Sequence, residues 1–137
     1  MNPSHEILSF WFGQWPFDEE KAQAQKSMWF QGSEELDATI KQQFSHYVEQ
    51  ALNGKFSLST LDEQLACIIL LDQFTRNIYR GQAKAFSGDH LALEICLELI
   101  KNKQHTKLPL LVAVFACMPL QHSESQQIQE LSVNTYQ

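Results

Sequence analysis

Between Leu61 and Gly81 the chain reads LDEQLACIILLDQFTRNIYRG, and past Leu71 the apolar run gives way to Asp72, Gln73, Arg76, Asn77 and Arg80. Asp72, Arg76 and Arg80 are spaced four apart, which stacks them along one face of a helix. Guanidinium and amide groups held on such a face are fixed donors suited to a carboxylate or a phosphate. Two arginines four apart repel by roughly 0.2–0.5 kcal/mol unless something intervenes. Asp72 answers Arg76, and Arg80 calls for a second acid or a bound anion. The alternative is structural: an Asp72–Arg76 pair, with Arg80 complementing the helix C-terminus.

Two further groups carry chemistry. His122, Ser123 and Glu124 are consecutive, and His122 with Glu124 offers a proton donor or acceptor. Trp11 and Trp29 can supply an apolar wall, since aromatic rings give contact area at low entropic cost. The candidate ligand-binding set is therefore Asp72, Gln73, Arg76, Asn77, Arg80, His122, Glu124, Trp11 and Trp29. The candidate ligand is a small anionic molecule or peptide.

Other chemistries lack their residues. His5, His46, His90, His105 and His122 are scattered, HExxH is absent, and no metal site is expected. Ser123 beside His122 suggests a nucleophile, but sequence adjacency is not hydrogen-bond geometry, and Ser123 also suits a helix cap. Five scattered glycines with no preceding strand exclude the common nucleotide-binding loops. No cofactor is expected.

The elements that must position these residues are helical. Thr60 and Glu63 have capping-box spacing, and Leu61, Leu65, Ile68 and Ile69 recur with helical period. The pattern predicts one long buried helix from Leu61, stopped by Gly81. Asn2 and Pro3 open a helix over Ser4 to Phe12, closed by Gly13. Asp18 to Lys26 reads as a polar helix, and Met28, Trp29 and Phe30 as an aromatic knot before Gly32. Ser33 caps a helix carrying Leu36, Ile40, Phe44, Tyr47, Val48, Ala51 and Leu52. Ala83 to Phe86 reads as a loose turn. Ser87 or Asp89 caps a helix bearing Leu91, Leu93, Ile95, Leu97, Leu99 and Ile100. Leu110 to Met118 reads as a short buried helix ending at Pro119, with Ser123 or Ser125 capping a final one. No stretch alternates with period two. The fold class is all-α, a single domain of antiparallel helical hairpins over residues 1–137.

Composition agrees. The 137 residues are 44% hydrophobic and 19% charged, which fits a globular domain with a real core. A net charge of −6 without a basic run argues against nucleic acid. Cys67, Cys96 and Cys117 are far apart in apolar contexts, which fits reduced thiols in a cytoplasmic protein. The run Leu108 to Leu120 is too short to span a bilayer, so no membrane role is expected.

Several segments, taken in order, resemble the bacterial family called domain of unknown function 924. They are Phe10-Trp11-Phe12-Gly13, Trp29-Phe30, Leu71 through Gly81, Ala85-Phe86 with Asp89, and Met118-Pro119-Leu120-Gln121-His122-Ser123-Glu124. The resemblance implies an all-helical, tetratricopeptide-repeat-like superhelical bundle and implies no reaction. It places recurrent polar positions on Asp72, Gln73, Arg76, Asn77, Arg80, His122, Ser123 and Glu124. Thr75 stands where the family usually has proline. The family's further segment with an FGRFPxRN-like motif is absent before Gln137. A helical face left without that cover is expected to drive homo-oligomerisation.

Three functions follow from these residues. The first is a helical module binding a small anionic ligand or peptide through Arg76 and Arg80. The second is a protein–protein interaction adaptor in which the polar cluster is structural. The third is an enzyme using His122 and Glu124 as acid and base.

Overall fold

The computed structural model describes the backbone of residues 2–136 and the side chains of residues 2–123. All regular structure among the described residues is helical. The helices are α1 (Pro3–Phe12), α2 (Glu19–Gln23), α3 (Lys26–Gln31), α4 (Glu34–Leu52), α5 (Leu61–Ile68), a π-helical segment (Ile69–Phe74), α6 (Thr75–Ile78), α7 (Asp89–Lys101) and α8 (Leu110–Tyr136). Short 3₁₀ turns at Ala83–Phe86 and Gln104–Lys107 flank α7. None of the described helices is long and apolar enough to cross a membrane.

Starts and stops follow local chemistry. The Asn2 side chain accepts from the Ser4 amide at 2.9 Å, with Pro3 in the first turn. Ser33 caps α4 through the Leu36 amide at 3.0 Å. Thr60 and Glu63 form the reciprocal capping box of α5. Helix α1 buries Ser4, Ile7, Leu8, Trp11 and Phe12, and α4 buries Ile40, Phe44, Val48 and Ala51. Both stripes have helical period. Phe10 of α1 meets Phe44 of α4 edge-on at 5.0 Å, and Trp11 meets Phe74 of the central segment edge-on at 5.7 Å. From α8, Phe115 closes the cluster against Trp11 at 5.4 Å and Trp29 at 4.8 Å.

Four expectations are corrected. The central stretch is not one α-helix to Gly81. It changes to π-helical winding at Ile69–Phe74, and α6 ends at Ile78. The Thr75 amide reaches five residues back to the Leu70 carbonyl, and the Thr75 hydroxyl donates to the Leu71 carbonyl at 2.8 Å. One more residue per turn in the middle of the core lets Leu70, Leu71 and Asp72 all be buried.

The expected polar helix over 18–26 is shorter and breaks after Gln23. There the Gln25 side-chain Nε2 donates to the Phe10 carbonyl at 3.0 Å, and the Trp29 indole donates to the Trp11 carbonyl at 3.0 Å. These long-range bonds start α3 in a new direction. Neither Ser87 nor Asp89 caps α7, which begins after Gly88; the Ser87 hydroxyl donates to Lys84, and Asp89 is engaged by Arg76. Pro119 does not end the last helix, and Ser123 is not a cap, because α8 runs through both. Val112, Phe115, Ala116 and Pro119 are buried at helical spacing, and that tertiary stripe overrides the one backbone bond a proline forfeits.

Gly88 sits where the π segment widens. A Cβ there would lie 2.5 Å from the Leu71 carbonyl oxygen and 3.0 Å from the Leu71 Cα, both backbone atoms. Gly88→Ala is therefore expected to destabilise the fold by about 1–3 kcal/mol, from a backbone shift rather than from dihedral strain. Urea unfolding measures this directly; an unchanged midpoint would contradict it.

Candidate functional site

Asp72 lies at the centre of the polar cluster and is wholly buried. Its Oδ2 accepts from Gln73 Nε2 at 2.8 Å, and its Oδ1 meets His122 Nδ1 at 3.0 Å. Arg76 Nη1 is 3.6 Å from the same Oδ1 and also donates to the Asp72 backbone carbonyl. The guanidinium then makes a two-point bond to Asp89, at 3.1 and 3.2 Å. Phe86 lies under it at 5.3 Å, a cation–π contact. His122 reaches this place because it lies on the side of α8 that carries the buried stripe, one turn beyond Pro119. Positions 112, 115, 116, 119 and 122 share one side of the helix.

Arg80 belongs to a different group. Helix α6 ends before it, so the expected three-residue stack of Asp72, Arg76 and Arg80 does not form. Arg80 Nε and Nη2 bond the Asp37 carboxyl from α4 at 2.7 and 3.1 Å, and Asn77 donates to the same carboxyl at 2.8 Å. The second acid that Arg80 called for is Asp37. The Arg80 guanidinium holds the Asp37 carboxyl below the usual range. Burial holds the Asp89 carboxyl above that range, against the pull of Arg76. Burial also pushes the Cys67 thiol up to about 12 and the Cys96 thiol to about 11, so neither is a ready thiolate.

Two cavities flank these groups. The smaller, about 210 Å³, is lined by Trp11, Trp29, Gln73, Arg76, Asn77 and Arg80, together with Met28, Phe30, Gln31 and Gly32 of α3 and its end. The larger, about 380 Å³, has Asp72, Asp89, His90, His122 and Ser123 as its polar lining and Phe86, Leu93 and Pro119 as its apolar one. Six of the nine candidate residues thus meet in one cavity, and Asp72 and His122 line the other. The side chain of Glu124 lies outside the described residues. Among the described residues no group of three or more His, Cys, Asp or Glu is placed to hold a metal ion.

Residues 7–137 match a bacterial protein family of unknown function, DUF924. The chain belongs to that family. A solved structure of a protein of unknown function from Agrobacterium tumefaciens is similar to it. The identity is 25% with a TM-score of 0.76, covering 96% of this chain and 72% of that one. No curated protein matches the chain. The all-helical fold expected of a DUF924 chain is thereby shown, and neither comparison supplies a reaction.

Two residues central to the site were not singled out by the sequence reading. Asp37 is one of three acids in the first turn of α4, where the helix dipole alone accounts for it. Asp89 in sequence also suits a helix cap; its place in the resemblance beside Ala85-Phe86 is the available signal.

The two arginines differ in what depends on them. Arg76→Ala leaves Asp72 buried without its cation and is expected to cost about 3–5 kcal/mol. Arg80 has a side chain 62% exposed, and Arg80→Ala is expected to cost about 0–1 kcal/mol. Denaturant unfolding of both variants tests the contrast, and equal losses would refute it. Because the Asp37 carboxyl is held low, its contribution to stability is present above the ordinary value of 3.8. It is lost as pH falls through the lower folded value. Asp37→Asn should flatten that acid limb of the stability–pH curve; an unchanged limb would count against the pairing.

Proposed function

We propose that this protein is a binding module for a compact anionic molecule, taken into the cavity walled by Trp11 and Trp29. The observation that carries this reading is Trp11 itself. Its indole Nε1 is buried without a hydrogen-bond partner among the described residues, on a side chain that lines the cavity. An orphaned buried donor costs about 1–3 kcal/mol, and an anionic oxygen would answer it.

The surrounding groups support the same chemistry. Arg80 Nη1 and Arg76 Nε take no part in the bonds to Asp37, Asp72, Asp89 and His122. Gln73 and Asn77 each commit one amide hydrogen to an aspartate and keep a second. A cavity of about 210 Å³ is below the roughly 300 Å³ at which drug-sized pockets begin. The ligand is therefore a small carboxylate or phosphate with an apolar portion fitted between the indoles. The arginines are not bare cations, since each is already paired. Affinity accordingly rests on hydrogen bonding and on the aromatic wall more than on net charge.

The test is a thermal-shift screen of the full chain against small carboxylates and phosphates. A ligand at a hundred times its dissociation constant adds about 2.7 kcal/mol, a rise of several degrees for a chain of this size. The hit should move the Trp11 indole N–H resonance downfield. It should be lost in Trp11→Phe, which keeps an aromatic ring and removes the donor, and weakened in Arg80→Ala, with both variants folded by circular dichroism. A panel without hits, or a hit indifferent to both substitutions, would overturn the reading.

A further inference from the structure

The larger cavity presents the opposite chemistry to the smaller one. A carboxyl oxygen in the Asp72 position accepts, so the His122 Nδ1 that meets it at 3.0 Å is the protonated nitrogen of the ring. Arg76 Nη2, 3.3 Å from the same nitrogen, is itself a donor and adds no bond there. In the neutral ring this tautomer leaves Nε2 as an acceptor, with no partner among the described residues, on a ring that lines the cavity and is 36% exposed.

Asp89 adds more acceptor capacity. Each of its oxygens takes one Arg76 N–H, and each keeps a further lone pair. The charges run the same way. Asp72 and Asp89 are two carboxylates against one guanidinium, that of Arg76, so with a neutral imidazole the cluster carries one formal negative charge in excess. Of the remaining polar groups on this cavity, His90 is turned to Glu94 at 3.0 Å, and Ser123 is uncharged. The other wall is apolar, made by Phe86, Leu93 and Pro119.

We propose that this cavity is a second, separate site, which takes a small primary amine in its ammonium form. Its N–H groups are accepted by His122 Nε2 and Asp89, and its carbon chain lies against Phe86, Leu93 and Pro119. Asp72 is a positioning residue here, fixing the ring so that the lone pair is available to the ligand. The ammonium supplies the positive charge that the Asp72–Arg76–Asp89 set lacks. No bond joins Ser123 to the ring among the described residues, so the site binds without a serine nucleophile.

Histidine side-chain nitrogen spectra of the full chain, titrated with propylammonium chloride into the millimolar range, test this. The expected result is a His122 ring protonated at Nδ1, with saturable movement of the His122 and His90 signals. Tetramethylammonium, which has the charge without N–H groups, and propionate should leave both still. The Trp11 indole signal, which belongs to the smaller cavity, should not move. Asp89→Asn should weaken binding about tenfold, and His122→Phe, followed at His90, should abolish it. If Asp89→Asn does not fold, His122→Phe decides, because its ring is partly exposed. The proposal is overturned by a His122 proton on Nε2, by the absence of saturable movement, by an equal response to tetramethylammonium, or by movement confined to Trp11.

Discussion

A carboxyl group with no exposure to solvent, placed in the middle of an apolar core, sets the terms for the rest of this structure. Asp72 cannot be left without partners, because an unanswered buried charge costs several kcal/mol. Gln73, Arg76 and His122 supply them, from the neighbouring residue, the next helical turn and α8. Each of those partners is then itself constrained. Arg76 must be oriented, and Asp89 and Phe86 do this; His122 must arrive from a helix fifty residues away in sequence, and the buried stripe of α8 brings it. The π-helical winding admits Asp72 to the core together with Leu70 and Leu71, and Gly88 makes room for the widened backbone.

Function is proposed at the two margins of that network. Arg76 bonds Asp72 and Asp89, which belong to the larger cavity, and also lines the smaller one. The residues that line the smaller side carry donors: an orphaned indole N–H, spare amide hydrogens and guanidinium edges. On the larger side it presents acceptors: an imidazole nitrogen and carboxyl lone pairs. A single buried acid bears on both, since it takes one amide hydrogen of Gln73 on one side and meets the ring of His122 on the other. In the outer pair Arg80 is exposed while Asp37 is half-buried, and such a pair contributes little to stability.

Much of this was legible in the sequence, for physical reasons that differ by residue. Helix class and caps are local, so Asn2, Ser33 and the Thr60–Glu63 box read correctly. The polar cluster was visible because charged residues following the apolar run Leu65 to Leu71 are out of place. The partners were not visible. Asp37 lies forty-three residues from Arg80, and nothing in an acidic first turn indicates a distant guanidinium. The π turn was hidden because its signature is a bond five residues back, completed by the Thr75 hydroxyl, which periodicity does not encode. Pro119 misled because a proline's local preference is weaker than the stripe of buried contacts made by Val112, Phe115, Ala116 and Pro119 itself.

The central claim is that Asp72 and Arg76 act as one unit on which the site is built. A double-mutant cycle of Asp72→Asn and Arg76→Gln, read by denaturant unfolding, measures that coupling directly. The account predicts an interaction energy of about 0.5–3 kcal/mol, with the pair of substitutions together less damaging than the sum of the two alone. Additivity within about 0.3–0.5 kcal/mol would contradict it, and would mean that the acid and the arginine are held in place independently.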